Sequence, residues 1–176
     1  MILRKINACL SLVTTFMFFY HAIFQAVWML SKGSVIKNAN NMPLILFAIM
    51  IIHAIISIVL AVLGHKGAEK CKCNGYSNLN KPTYIQRASG ILLIPLTVLH
   101  ILGTTGITHT PQVVHAILPP LFFAVCFVHV AISTNKAFIT LGIGNATSIK
   151  IADVVIKVLC GLVWLADVVG FYLFLV

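Results

Sequence analysis

Long, largely uncharged apolar runs dominate this chain, and its polar residues gather between them. The runs lie near 6–30, 43–64, 86–107, 112–134 and 149–175. A helix rises about 1.5 Å per residue and needs roughly 20 apolar residues to cross a hydrocarbon core of about 30 Å. Each run therefore predicts one transmembrane helix. The intervening segments are short. The first holds Lys32, Lys37, Asn38, Asn40 and Asn41; Thr104–Pro111 is a Gly- and Thr-containing turn; the longest, His65–Tyr84, carries most of the loop charge. There is no internal repeat, no low-complexity tract and no stretch long enough for a soluble domain. The expectation is one all-α integral membrane domain over 1–176, with the first four helices forming an antiparallel bundle. Arg4 and Lys5 precede the first run as they would in a signal peptide. That run is too long for a signal h-region and lacks a small-residue cleavage pattern, which predicts a retained helix.

Composition agrees with the pattern. The chain is 60% hydrophobic and 9% charged, against about a quarter charged residues in soluble domains. Twelve Lys and Arg face three acidic residues. The basic residues alternate by connection: Arg4 and Lys5 at the amino end, Lys66, Lys70, Lys72, Lys81 and Arg87 around the second connection, Lys136 and Lys150 around the fourth. The first connection has only Lys32 and Lys37, and the third has no Lys or Arg. Because positive loops are retained in the cytoplasm, the expected topology in a cell membrane puts the amino end in the cytoplasm and the carboxyl end outside. A formal charge of +9 needs no nucleic acid partner, since topology and an anionic lipid surface account for it.

Cysteines add little. Cys9, Cys126 and Cys160 lie in apolar runs, where a thiol packs as a small hydrophobe. Cys71 and Cys73 form a Cys-x-Cys pair on the expected cytoplasmic side, where a disulfide is disfavoured and two thiols make an incomplete metal site. The absence of Cys-x-x-Cys-His removes covalent haem attachment from consideration.

Histidines carry the chemistry. His21, His53, His100 and His129 fall one in each of the first four runs, and the fifth run has none. An ionisable group in hydrocarbon costs a few kcal/mol on insertion scales. A single intramembrane His often does no more than hydrogen-bond a neighbouring carbonyl, but four in four successive helices suit two b-type haems, each held by imidazoles from two facing helices. Counted from the expected outer helix ends, His21 lies about 13 Å deep and His100 about 10 Å, while His129 lies about 8 Å from its inner end. His53 is about 15 Å from either end, and depth alone does not assign it. In an up-and-down bundle the first and third helices are diagonal, as are the second and fourth, which pairs His21 with His100 and His53 with His129. Pro95, Pro119 and Pro120 are expected to bow their helices, and Gly90 and Gly103 to permit close approach.

The segment Gln86-Arg87-Ala88-Ser89-Gly90, followed by an apolar run to His100, resembles the Arg-x-Ser/Thr-Gly signature of the cytochrome b subunits of succinate:quinone oxidoreductases. The order of His-bearing helices extends the resemblance through four helices, in the single-chain, five-helix, two-haem form of that family. The spacings from His21 to His53 and from His53 to His129 are compact for it, and Cys-x-Cys is not part of its pattern. The resemblance implies a membrane anchor that makes no carbon bond of succinate or fumarate. It implies distal haem ligands His21 and His100, proximal ligands His53 and His129, and an iron–sulfur subunit and a flavoprotein docked on the cytoplasmic face. The electron carrier in the lipid would be a quinone, with menaquinone suited to a distal site near the outer face.

Around those ligands, His115 precedes His129 by fourteen residues, nearly four turns, and so shares its helix face. That makes His115 a candidate for quinone or propionate contact, beside Asp167 and His109 on the same side. At the cytoplasmic ends, His65, Lys66, Lys136 and above all Arg87 are candidates for pairing with haem propionates. Ser89 is expected to bond its own helix backbone. Two other readings remain open from the sequence: a di-haem anchor of a different dehydrogenase, and a haem-free transporter or packing subunit whose histidines relay protons or join helices.

Overall fold

The structure is a computed structural model that describes residues 2–32, 42–71, 81–104 and 112–175; the side chains of 42, 65–71, 104, 112–116 and 174–175 lie outside the description. Five helices follow in order: α1 (Ile2–Leu30), α2 (Met42–Cys71), α3 (Lys81–Thr104), α4 (Gln112–Leu141) and α5 (Ala146–Leu175). No strand occurs among the described residues. All five are long and apolar enough to span a membrane. Their outer surface is correspondingly apolar, with Phe16, Leu44, Ile91, Ile117 and Val154 largely exposed. Such a surface would aggregate in water and is matched by lipid tails.

Hydropathy locates the spans but understates the helices. α4 runs to Leu141 rather than 134, α2 to Cys71 rather than 64, and α3 begins at Lys81 rather than 86. The apolar window marks only what hydrocarbon covers. Past it a helix continues if its polar side chains are satisfied, and α4 satisfies several internally: Ser133 Oγ donates to His129 O at 2.7 Å, Thr134 Oγ1 to Val130 O at 2.8 Å and Thr140 Oγ1 to Lys136 O at 2.8 Å. His129 is consequently about 18 Å rather than 8 Å from the end of its helix. The helices also continue through Pro95 and through Pro119 and Pro120 without a break.

The register between helices follows from a few contacts. On α4, Thr134 meets Thr15 of α1 (3.4 Å) and Phe127 stacks edge-on against Phe18 (5.1 Å), so α1 and α4 are antiparallel. Lys136 meets Thr83 and Phe122 meets His100, so α3 and α4 are antiparallel too. Asn135 to Asp153 and Trp164 to Pro120 fix the same relation for α4 and α5. α5 runs parallel to α1, where Gly170 lies against Ala26, Met29 and Leu30.

α4 is the central helix. It packs on α1, α3 and α5, and 44% of its span is buried against 6% for α2. The main core cluster draws Phe18 and Ala22 from α1, Leu96 from α3, Phe122, Phe123, Cys126 and Phe127 from α4 and Cys160 from α5. Among the described residues α2 packs mainly on α1 and α3 mainly on α4, any other contact of either helix being marginal. α5 fills the groove between α1 and α4.

The α4–α5 turn is tight and self-capped. Gly142 N donates to Ile139 O and Ile143 N to Phe138 O, the paired bonds of a Schellman ending, with Gly142 at φ 71°. Asn145 Oδ1 then accepts from Ser148 N while Asn145 N donates to Ser148 Oγ, both at 2.8 Å, a reciprocal cap on α5. Between them Gly144 has φ 83°, and a Cβ there would stand 2.5 Å from Ser148 Oγ. Gly144→Ala is expected to cost about 1–2 kcal/mol through backbone strain and loss of the cap. The check is a lower midpoint of thermal unfolding in detergent, with Gly161→Ala, inside α5 and with nothing within 4 Å of its Cβ, as a control whose midpoint does not fall.

Candidate functional site

Four half-buried histidines come from four different helices. His21 of α1 and His100 of α3 lie within electrostatic range of each other, and so do His53 of α2 and His129 of α4. These are the diagonal pairs. The position of His53, open from the sequence, is settled by α1: His53 lies against the backbone of Asn7, and Ser57, one turn further on, donates its Oγ to Asn7 Oδ1 at 3.2 Å. Asn7 is about 7 Å from the start of α1, so His53 belongs to the amino-terminal end of the bundle. α2 is thus shifted along its axis relative to α1, which a count from predicted helix ends does not reveal. His53 Nδ1 is buried without a hydrogen-bond partner.

His129 is held differently. Its Nδ1 lies 3.2 Å from Gln86 O and 3.1 Å from Ser89 Oγ, both on α3, and Ser89 Oγ is itself 3.1 Å from Gln86 O. Ser89 thus bonds its own helix, as expected, and also touches the histidine. Of the two glycines expected to allow close approach, Gly90 does so: a Cβ there would stand 3.1 Å from His129 Cε1, whereas one on Gly103 would meet nothing within 4 Å. His100 stacks on Phe122, centroids 4.6 Å apart and planes 18° apart, with Phe123 edge-on at 6.4 Å.

Arg87 and Lys136 lie close to one another at the amino-terminal face, where Lys136 Nζ donates to Thr83 Oγ1 at 2.7 Å. Asp153 does not neutralise them, being engaged by Lys157 and by Asn135 Nδ2. Arg87 and Lys136 form a cationic edge beside the Gln86–His129 contact, Arg87 next to Gln86 in sequence and Lys136 about two turns past His129. His115 lies in the first turns of α4 with its side chain outside the described residues, as do the side chains of His65 and Lys66; His109 and Cys73 fall outside altogether. Cys126 and Cys160 are free and buried, whereas Cys9 is exposed.

Asp167 is not the interfacial residue that a peripheral fifth helix would make it. It is fully buried, neither carboxyl oxygen has a hydrogen-bond partner, and it lies within electrostatic range of Cys126. The apolar groove nearest to it, about 210 Å³ between α1 and α5, is lined by Ile23, Ala26, Val27, Leu30, Leu162, Val163 and Ala166. Asp167 is closed off from it, so the groove has no polar partner for a quinone oxygen.

Among the described residues no three His, Cys, Asp or Glu side chains gather as a bare-metal site. The histidines lie within electrostatic range of one another in twos. A haem needs only two axial imidazoles and fixes each through the nitrogen not bound to iron. His129 has one nitrogen held in that way by Gln86 and Ser89, and His53 lies within electrostatic range of it. The residues present fit a b haem at the inner pair, and the second pair repeats the diagonal placement. The roles of Asn7, Ser57 and Gln86 escaped the sequence reading; Asn7 and Ser57 were visible as polar residues inside apolar windows, a signal of interhelical bonding.

No protein-family model, curated protein or solved structure matches the chain.

An unpaired buried carboxyl is costly. Asp167→Ala is therefore expected to stabilise the protein by about 1 kcal/mol after a small cavity cost. A lower thermal midpoint for this variant in detergent would instead mean that the carboxyl is bonded in the folded state.

Proposed function

We propose that the chain is a di-haem b membrane anchor of the succinate dehydrogenase or fumarate reductase type. In this reading it passes electrons between an iron–sulfur and flavoprotein pair on its amino-terminal, cytoplasmic face and a quinone, of the menaquinone kind, in the lipid. The observation that carries the reading is the grouping: histidines set singly on four successive helices lie within electrostatic range of one another in twos, His21 with His100 and His53 with His129. Packing histidines have no reason to do so.

His21 and His100 would be the axial ligands of the distal haem, and His53 and His129 those of the proximal one. Arg87 and Lys136 offer an anion positive charge that Asp153 does not neutralise, which suits an acidic propionate edge. When bound, a b haem supplies one-electron exchange at iron, two electrons and two protons being needed to convert quinone to quinol. The chain's own residues orient and insulate. Along α4, Phe122, which stacks on His100, is followed by Phe123, Cys126 and Phe127 before His129. Such an apolar aromatic stretch is compatible with electron tunnelling and interrupts a proton wire, which favours an electron carrier over a proton-relaying transporter. His115 shares the helix and face of His129 and is the candidate for quinone or propionate contact at the far end.

The test is a dithionite-reduced minus oxidised spectrum of the purified protein from a haem-replete host, with a pyridine haemochrome count. Two b haems per chain are expected. His21→Ala and His100→Ala should each lose the same spectral component, and His53→Ala and His129→Ala the other. A folded wild-type protein without haem would sink the reading, and four variants that each dim both components equally would break the pairing.

A further inference from the structure

The first turns of α3 close around one imidazole. Ser89 is buried, and its hydroxyl, its neighbour Gln86 O and His129 Nδ1 form a triangle with sides of 3.1, 3.1 and 3.2 Å. A serine hydroxyl has a single hydrogen to give. With that hydrogen donated to Gln86 O, the hydrogen shared with His129 comes from the ring: Nδ1–H donates to Gln86 O and Ser89 Oγ together, and the lone pair stays on Nε2. Gly90 makes the approach possible, since any Cβ would press on His129 at 3.1 Å from Cε1 and 3.5 Å from Nδ1. From the other side Ser133 Oγ, 2.7 Å from His129 O, adds a hydrogen bond to the backbone that carries the ring. The partner of the same pair, His53, has no such clamp on Nδ1.

We propose that the Gln86–Ser89–Gly90 turn is a positioning device for His129: it selects the Nδ1–H tautomer, fixes the angle of the ring about the bond to iron and lowers the reduction potential of the haem ligated there. This rests on the di-haem reading. Donation from Nδ1–H into two oxygens raises the electron density on Nε2, and a more basic imidazole favours ferric over ferrous iron. Ser89 and Gly90 act through His129 and touch neither quinone nor the electron donor.

The experiment compares the full chain with Ser89→Ala, Ser89→Thr and Gly90→Ala, each purified from a haem-replete host, by optical redox titration and by low-temperature electron paramagnetic resonance of the ferric haems. The haem concerned is identified as the one lost in His129→Ala. Ser89→Ala is expected to keep two haems per chain and shift that haem's midpoint upward while the other stays in place, and Ser89→Thr, which restores a hydroxyl, to bring it back. Gly90→Ala is expected to move the largest g value of the same haem, because that value follows the angle between axial imidazoles. Loss of only that haem in Ser89→Ala, recovered in Ser89→Thr, supports the same conclusion. Two haems with unchanged midpoints and g values in Ser89→Ala and Gly90→Ala overturn the positioning role and leave the di-haem reading standing. A wild-type protein with no haem overturns both.

Discussion

Lipid tails solvate a leucine as well as another helix does, so in hydrocarbon the apolar effect does not press these helices together. Their association depends on the few seams where small residues let backbones approach or polar groups bond across, and most of those seams lie on α4. Its residues Ser133, Thr134 and Ala137 are buried, and it reaches α1 through Thr134, α3 through His129 and Lys136, and α5 through Asn135 and the carbonyl of Pro120. Each such bond is worth about 1 kcal/mol, and together they set rotation and register as well as strength. α1 and α5 meet by the other device, Gly170 against the Ala26 turn.

The same constraint explains what is loose. α2 is apolar on every side, with one buried side chain, Leu46, in its described length. Its described polar links are both to Asn7, from Ser57 and from His53. α3 is tied mainly to α4, in part by the contacts that also clamp His129. The bundle therefore consists of a firm α1–α4–α5 unit with α2 and α3 attached to opposite members. The proposed haems would each span from one member of the firm unit to one attached helix, so ligation would contribute to the fold as well as to function. Binding energy of that kind is folding energy when the site is incomplete without it.

Asp167 stands apart from this economy. Its carboxyl is buried in α5 without a partner and serves none of the seams described. Burial of this kind is expensive in a membrane helix, and the proposed electron path makes no use of it.

The number of spans, their approximate places and the order of the histidines were legible from the chain alone. Backbone polar groups in lipid must be satisfied within the helix itself, so a span is a local property of about twenty consecutive residues. The Gly142–Asn145 turn was local in the same sense, being built from residues that cap their own neighbours. Which histidines meet was only a topological expectation. The depth of His53, the extension of α4 past Ser133, the clamp of Gln86 and Ser89 on His129 and the burial of Asp167 were decided by tertiary structure. The reason is geometric: the axial shift and rotation of a membrane helix are set by contacts with helices remote in sequence, here Asn7 with Ser57 and Gly90 with His129, and no window along one helix contains them.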